Sequence, residues 1–231
     1  MPPKTKTLPA KPAGPKRRRY GGRPSLEEAK QLHGRILDAA AELFFKRGYG
    51  ETSIEAIAAQ AGIGKLTLYR RFPDKAALFK AVVMRLFDQW WAAVTEVDAS
   101  QGTPSDVLMA TGRRLLSIVL SPTALALHRI LFAEASRLPE VCALMYGSRK
   151  TEEEERRDPI RNMLHRLVAQ GAVRGDDIGF LDQHFIHMII GRPLRHALLG
   201  APPMTVAARE EHIRKTVELF LHGAATSSRH S

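Results

Sequence analysis

The chain has 231 residues, of which 44% are hydrophobic and 26% charged, with 35 Lys and Arg against 24 Asp and Glu, nine His and a single Cys. That length suits one large domain or two small ones with apolar chain enough for a buried core, which excludes a wholly disordered protein. One cysteine excludes an internal disulfide framework and any multi-cysteine metal site. Every apolar run is broken by Arg, His, Asp or Gly short of the ~18–20 residues that a membrane-spanning helix requires, and no apolar segment follows the charged N-terminus to make a secretory signal. The expectation is a soluble, cytoplasmic protein with no membrane partner.

The charge is concentrated at one end. Before the first acid, Glu27, stand Lys4, Lys6, Lys11, Lys16, Arg17, Arg18, Arg19 and Arg23, eight cations that account for all but three of the net +11. Pro2, Pro3, Pro9, Pro12 and Pro15 interrupt the same stretch, and it holds too few large apolar residues to offset the entropy of ordering. Residues 1–23 therefore read as a flexible basic arm. Such an arm beside a folded module suits a polyanion, nucleic acid above all, through phosphate neutralisation and counterion release. The simpler reading is a solubilising tail.

From Ser25 onward the pattern is a succession of helices, an all-α chain without convincing period-2 alternation. A capping box at Ser25-Leu26-Glu27-Glu28 opens the first helix, whose inner face is Leu32, Ile36, Leu37, Ala40, Leu43 and Phe44, and Gly48 ends it as a left-handed cap. A second box, Thr52-Ser53-Ile54-Glu55, opens a short helix with Ile54, Ile57 and Ala58 inward. Ala61-Gly62-Ile63 turns the chain, and a third short helix runs from Lys65 to about Phe72, with Gly64 as a weak cap. Asp74 caps a long helix with a seam of Leu78, Phe79, Val82, Val83, Leu86, Phe87, Trp90 and Val94. Further helices are expected at about 105–120, 122–137, 139–170 with a break at Pro159, 177–199 and 204–222. The tail, 224–231, is expected to be disordered.

The first three helices match a helix-turn-helix, in which a recognition helix is held out for the major groove. If the third helix buries Leu68 and Phe72 with Ile63, its remaining surface is Lys65, Leu66, Thr67, Tyr69, Arg70 and Arg71. Lys and Arg can donate to guanine O6 and N7, the Thr methyl can touch a thymine methyl, and the Tyr hydroxyl can bond a phosphate.

These residues resemble the TetR (TetR/AcrR-type) transcriptional regulators. The resemblance rests on Ile36-Leu37-Asp38-Ala39-Ala40 with Leu43-Phe44, Gly48-Tyr49, Thr52 to Ala58, Ala61-Gly62-Ile63, Thr67 to Phe72, and Asp74 to Phe79. It covers roughly residues 23–83. It implies a DNA-binding domain at 24–72 and a ligand-binding and dimerisation domain at 73–223, forming a homodimeric regulator whose operator affinity answers to a small ligand. Carried over by position, Thr52 and Ser53 cap the second helix near a phosphate. Lys65, Leu66 and Thr67 face bases, with Arg70 on the same cationic surface, and Tyr69 and Lys75 contact the backbone. Arg17, Arg18, Arg19 and Arg23 belong to an arm that follows the minor groove. Gly64 and Leu66 depart from the family, which commonly has Ser and frequently Gly there. A ligand pocket would be walled by Phe87, Trp90, Met109, Leu116, His128, Phe132 and Tyr146, against the plainer reading that these are core. The last two helices would pair with their copies in a four-helix bundle.

His184 and His187 stand three apart without a third ligand in any metal motif, so neither metal nor cofactor is expected. Cys142 reads as a small buried side chain, and Glu152–Glu155 as a solvated helix face. Two rivals remain. One is an architectural protein that coats DNA without sequence preference. The other is a small helical enzyme, against which stands the lack of nucleophile-elbow, phosphate-loop and dinucleotide signatures.

Overall fold

The computed structural model describes residues 25–97, 102–146 and 158–224, and every regular element among them is helical. In chain order these are α1 (Leu26–Arg47), α2 (Ile54–Gln60), α3 (Lys65–Tyr69), α4 (Lys75–Thr95), α5 (Pro104–Val119), α6 (Pro122–Ala133), α7 (Pro139–Tyr146), α8 (Pro159–Ala169), α9 (Ile178–Leu198) and α10 (Val206–Ala224). The basic arm with Arg17, Arg18, Arg19 and Arg23, the acidic run at 152–155 and the tail from 225 lie outside the described residues. No single described helix is long and apolar enough to cross a membrane.

Most helix starts follow from side chains that satisfy the orphan N–H groups of a first turn. Ser25 and Glu28 exchange hydrogen bonds in the expected box, at 3.1 and 2.7 Å. Thr103 and Asp106 do the same for α5 ahead of Pro104. Asp74, Ser121, Asp158 and Asp177 cap α4, α6, α8 and α9. Gly48 corrects one expectation. Its φ of 86° is positive, but its ψ of 165° is extended, so the chain leaves α1 straight instead of curling into a left-handed cap. Only glycine adopts that combination readily. α6 stops at Ala133 rather than near 137, and α3 is five residues long, ending before Phe72.

Two apolar cores form. The first joins α1 (Ile36, Leu37, Ala40, Leu43, Phe44), α2, Leu68, Phe72 and the leading half of α4 (Leu78, Phe79, Val82, Val83). It does not close at residue 72. Leu127, Ile130 and Leu131 of α6, with Leu138 and Val141, belong to the same cluster. The second unites Val94 at the far end of α4 with α5, α8, α9 and α10. α4 therefore has one end in each core. Of the expected α4 seam, Leu86, Phe87 and Trp90 are only half-buried, flanking the first core.

α9 carries a buried Pro193 in mid-helix. Proline has no N–H, so the carbonyl four residues back, that of Ile189, loses its helical partner. His212 of α10 fills the gap, its Nε2 standing 2.8 Å from that oxygen. Replacing His212 by Ala should cost about 1–3 kcal/mol by orphaning a buried carbonyl. In a Pro193→Ala background, where a backbone N–H is restored, the same replacement should cost under about 1 kcal/mol. Denaturant unfolding of the four chains at one protein concentration checks this, and equal costs in both backgrounds would refute it.

Candidate nucleic-acid interface

The α2–α3 corner is built from the backbone. Ile63 N–H donates to the Ala58 carbonyl at 3.0 Å and Gly62 N–H to that of Ala59 at 3.1 Å, with Gly62 at φ 68°. This is a Schellman ending, which needs a residue tolerant of positive φ at Gly62 and an apolar one after it. Ile63 packs against the first core, which fixes the direction in which α3 departs. Gly64 offers α3 no side-chain cap. What anchors α3 is Leu68, fully buried, with Phe72 just beyond the helix at 7% exposure.

With Leu68 and Phe72 held beneath, the opposite surface of α3 is outward. Leu66 is 67% exposed and Tyr69 42%, Lys65 and Arg70 are exposed, and Thr67 is half-buried. An exposed leucine beside two cations and a tyrosine is a poor solvent face but can meet thymine methyls and phosphates together. α3 is short, so its dipole is small and the side chains must carry recognition.

Of three further residues expected near a phosphate or the DNA backbone, one keeps its expected cap and two behave differently. Ser53 is the cap of α2, its hydroxyl accepting from Ala56 N–H at 3.1 Å. Thr52 is not part of a capping box: it is 1% exposed, and its hydroxyl lies 2.7 Å from the Gly48 carbonyl and 3.2 Å from that of Leu43. It ties the α1–α2 loop to the end of α1 and cannot offer its side chain to a phosphate. Lys75 is likewise turned inward. Its Nζ donates to the carbonyls of Tyr49, Gly50 and Thr52 at 2.9, 3.3 and 3.1 Å and lies 4.5 Å from the centre of the Tyr49 ring. An ammonium has three N–H groups, and all three are used. Lys75 therefore staples α4 to the α1–α2 loop, and in this arrangement has no proton left for DNA.

Glu55, read from sequence as a capping carboxylate, instead forms an ion pair with Lys65 across the corner. The pairing lowers the Glu55 carboxyl's pKa and raises that of Lys65, each mainly through the hydrogen bond between them. The signal was a pair of opposite charges ten residues apart, which no helical spacing would connect.

Residues 36–82 match the family described as bacterial regulatory proteins, tetR family, and residues 106–223 match the AefR-like transcriptional repressor C-terminal domain. The chain belongs to the TetR family. Its members are DNA-binding transcriptional regulators and not enzymes. Among relatives, the chain is 37% identical over 86 residues to the transcriptional activator FasR of Mycolicibacterium smegmatis, covering 37% of each chain. It is 30% identical over 125 residues to the regulator UidR of Escherichia coli, covering 54% of this chain and 62% of that one. The match thus spans less than two thirds of either relative. Among solved structures, the flavonoid-responsive regulator FrrA superposes with a TM-score of 0.71 at 27% identity, over 86% of this chain and all of that one. A TetR regulator from Agrobacterium tumefaciens gives 0.65 at 26% identity, over 84% and 95%.

The residues expected to wall a ligand pocket in this TetR-family chain are divided. Phe87 and Trp90 meet edge to face at 5.6 Å beside the first core. Met109 borders the second core, and Leu116, 1% exposed, is part of it. His128 is 4% exposed, with Nδ1 2.7 Å from the Ala124 carbonyl, and burial pushes its pKa down, favouring the neutral ring. Phe132 is a correction. At 61% exposure it turns away from the interior, because Leu127, Ile130 and Leu131 already occupy the inner face of α6. The Tyr146 side chain lies outside what is described. His184 and His187 are both exposed, each with Nδ1 against the carbonyl four residues back, and Cys142 is half-buried.

Proposed function

We propose that this TetR-family regulator binds a specific operator in double-stranded DNA as a homodimer, and that a small ligand in the C-terminal domain sets its operator affinity, with repression as the output. The observation that carries the DNA half is the outward face of α3, with Lys65, Leu66, Thr67, Tyr69 and Arg70 raised over a buried Leu68. Arg17, Arg18, Arg19 and Arg23 would add non-specific attraction along the minor groove. The ligand half is supported by α4, whose ends lie in different cores. A ligand that preferred one packing of Phe87, Trp90, Met109, Leu116 and His128 would move α4, and through Lys75 the reading head. One that bound both packings equally would change nothing. A flavonoid-responsive structural relative agrees with small-molecule control, and the match to an AefR-like transcriptional repressor C-terminal domain agrees with repression. A reducing cytoplasm, where DNA is met, fits a lone thiol.

Selection of bound sites from random DNA is the test. The expected product is an inverted repeat whose half-sites are about one helical turn, ~34–36 Å, apart, bound about 10³-fold or more over random duplex. A pool that never departs from random would overturn operator recognition and leave a DNA-coating protein. A broad metabolite panel that never shifts operator affinity would overturn ligand control alone.

A further inference from the structure

The first cation of α3 is not alone on the surface. Lys65 pairs through Nζ with Glu55, the second residue of α2, and the same ammonium lies 5.7 Å from the centre of the Tyr69 ring. The two charged side chains keep 52% and 58% exposure, so the pair sits over the core and not in it. Nothing in the α2–α3 packing depends on it, since Ser53 caps α2, Gly62 makes the turn and Leu68 anchors α3. A carboxylate has thus been set against a cation that the DNA-binding face would be expected to leave free.

We infer that Glu55 is a specificity-determining residue, which turns Lys65 away from phosphates and toward base edges, where an amine lies beside an acceptor. The inference rests on α3 being the helix that enters the groove. A phosphate presents only anionic acceptors, so one that takes Lys65 brings its charge close to Glu55 and is repelled. A base edge is different. Guanine N7 and O6 accept from an ammonium, whereas cytosine N4 and adenine N6 donate and can be taken by a carboxylate. Lys65 and Glu55 side by side form a donor and an acceptor in one unit, complementary to the major-groove edge of a base pair, which shows both, and not to a phosphate, which shows acceptors alone. The repulsive half matters as much as the attractive one, because specificity is a difference between affinities.

The test compares the full chain with its Glu55→Gln variant on the selected operator and on random duplex of equal length, across a salt series. Glutamine keeps the size and removes the charge, and circular dichroism confirms that the variant stays helical. Random-duplex affinity should rise several-fold in the variant while operator affinity stays the same, so that the ratio falls by that several-fold factor. The slope of log K against log salt on random duplex should steepen by about one as Lys65 becomes free for a phosphate. In a Lys65→Ala background, Glu55→Gln should leave the ratio unchanged. Equal changes on both duplexes, or the same fall in ratio without Lys65, would overturn the inference while operator recognition stands. A wild-type chain that does not discriminate at all would overturn both.

Discussion

Phe79→Ala should lower the stability of the folded protein by about 3–5 kcal/mol, a fall in midpoint of roughly 6–20 °C for a chain of this size. Phe79 is fully buried, with its ring edge on Phe44 at 5.1 Å and 80°, and on Tyr49 at 5.2 Å and 62°. Truncation removes both edge contacts and leaves a cavity where α1, the α1–α2 loop and α4 meet, a place that helices tied by caps and by Lys75 cannot easily collapse to fill. Tyr49 is also the ring over which the Lys75 ammonium sits. The damage should therefore reach the loop that positions α2, and operator affinity should fall even at temperatures where the variant remains folded. Phe132→Ala, at 61% exposure, is the control and should cost under about 1 kcal/mol. Calorimetry or thermal circular dichroism at fixed concentration reads both, and comparable losses would mean that the first core is not organised around Phe79.

The features legible in the sequence were those decided within a few residues. Ser25 with Glu28, Asp74 and Gly62 each act through their own turn, and helix existence followed from apolar periodicity together with such caps. Thr52 shows where that logic stops. Thr-x-x-Glu fits a capping box, but the same hydroxyl can donate back to the end of α1, and burial against Leu43 and Gly48 decides the matter. The local pattern was satisfied one residue later by Ser53 without a reciprocal carboxylate, which released Glu55 for Lys65. The continuation of the first core into α6 is a long-range fact: Leu127 and Leu131 are apolar in either packing, and only tertiary structure says against what.

The candidate interface was more readable than the ligand site, for a physical reason. A DNA-binding face is a surface, so it shows as polar and cationic residues interrupting an apolar pattern, as Lys65, Arg70 and Arg71 do around Leu68. A small-molecule pocket is lined mostly by the apolar residues that also make core, and nothing in composition separates Leu116 from a packing leucine. Lys75 lies between these cases. The family resemblance marked it as a DNA contact, yet three carbonyls some 25 residues earlier in the chain hold it in the folded protein. A lysine at a helix start is equally suited to either role, and the loop carbonyls of Tyr49, Gly50 and Thr52, converging on one ammonium, favour the internal one.

Tyr69→Ala should reduce affinity for the selected operator about ten- to a hundredfold while leaving thermal stability within about 0.5 kcal/mol. The two outcomes separate because α3 separates them. Leu68 supplies the buried anchor, and Tyr69, next in sequence and about 100° around the helix, is 42% exposed and contributes little to the core. Its loss removes a hydroxyl available to a phosphate, a ring that can lie along a sugar, and the surface over which Lys65 stands. Arg70→Ala serves as the companion. As a cation on the same face it should weaken operator and random duplex alike and reduce the salt slope by about one, in the manner of a phosphate contact. Filter binding across a salt series distinguishes the pair. If Tyr69→Ala binds the operator as tightly as the unmodified chain, recognition does not pass through the outward face of α3, and the orientation that Leu68 imposes has some other use.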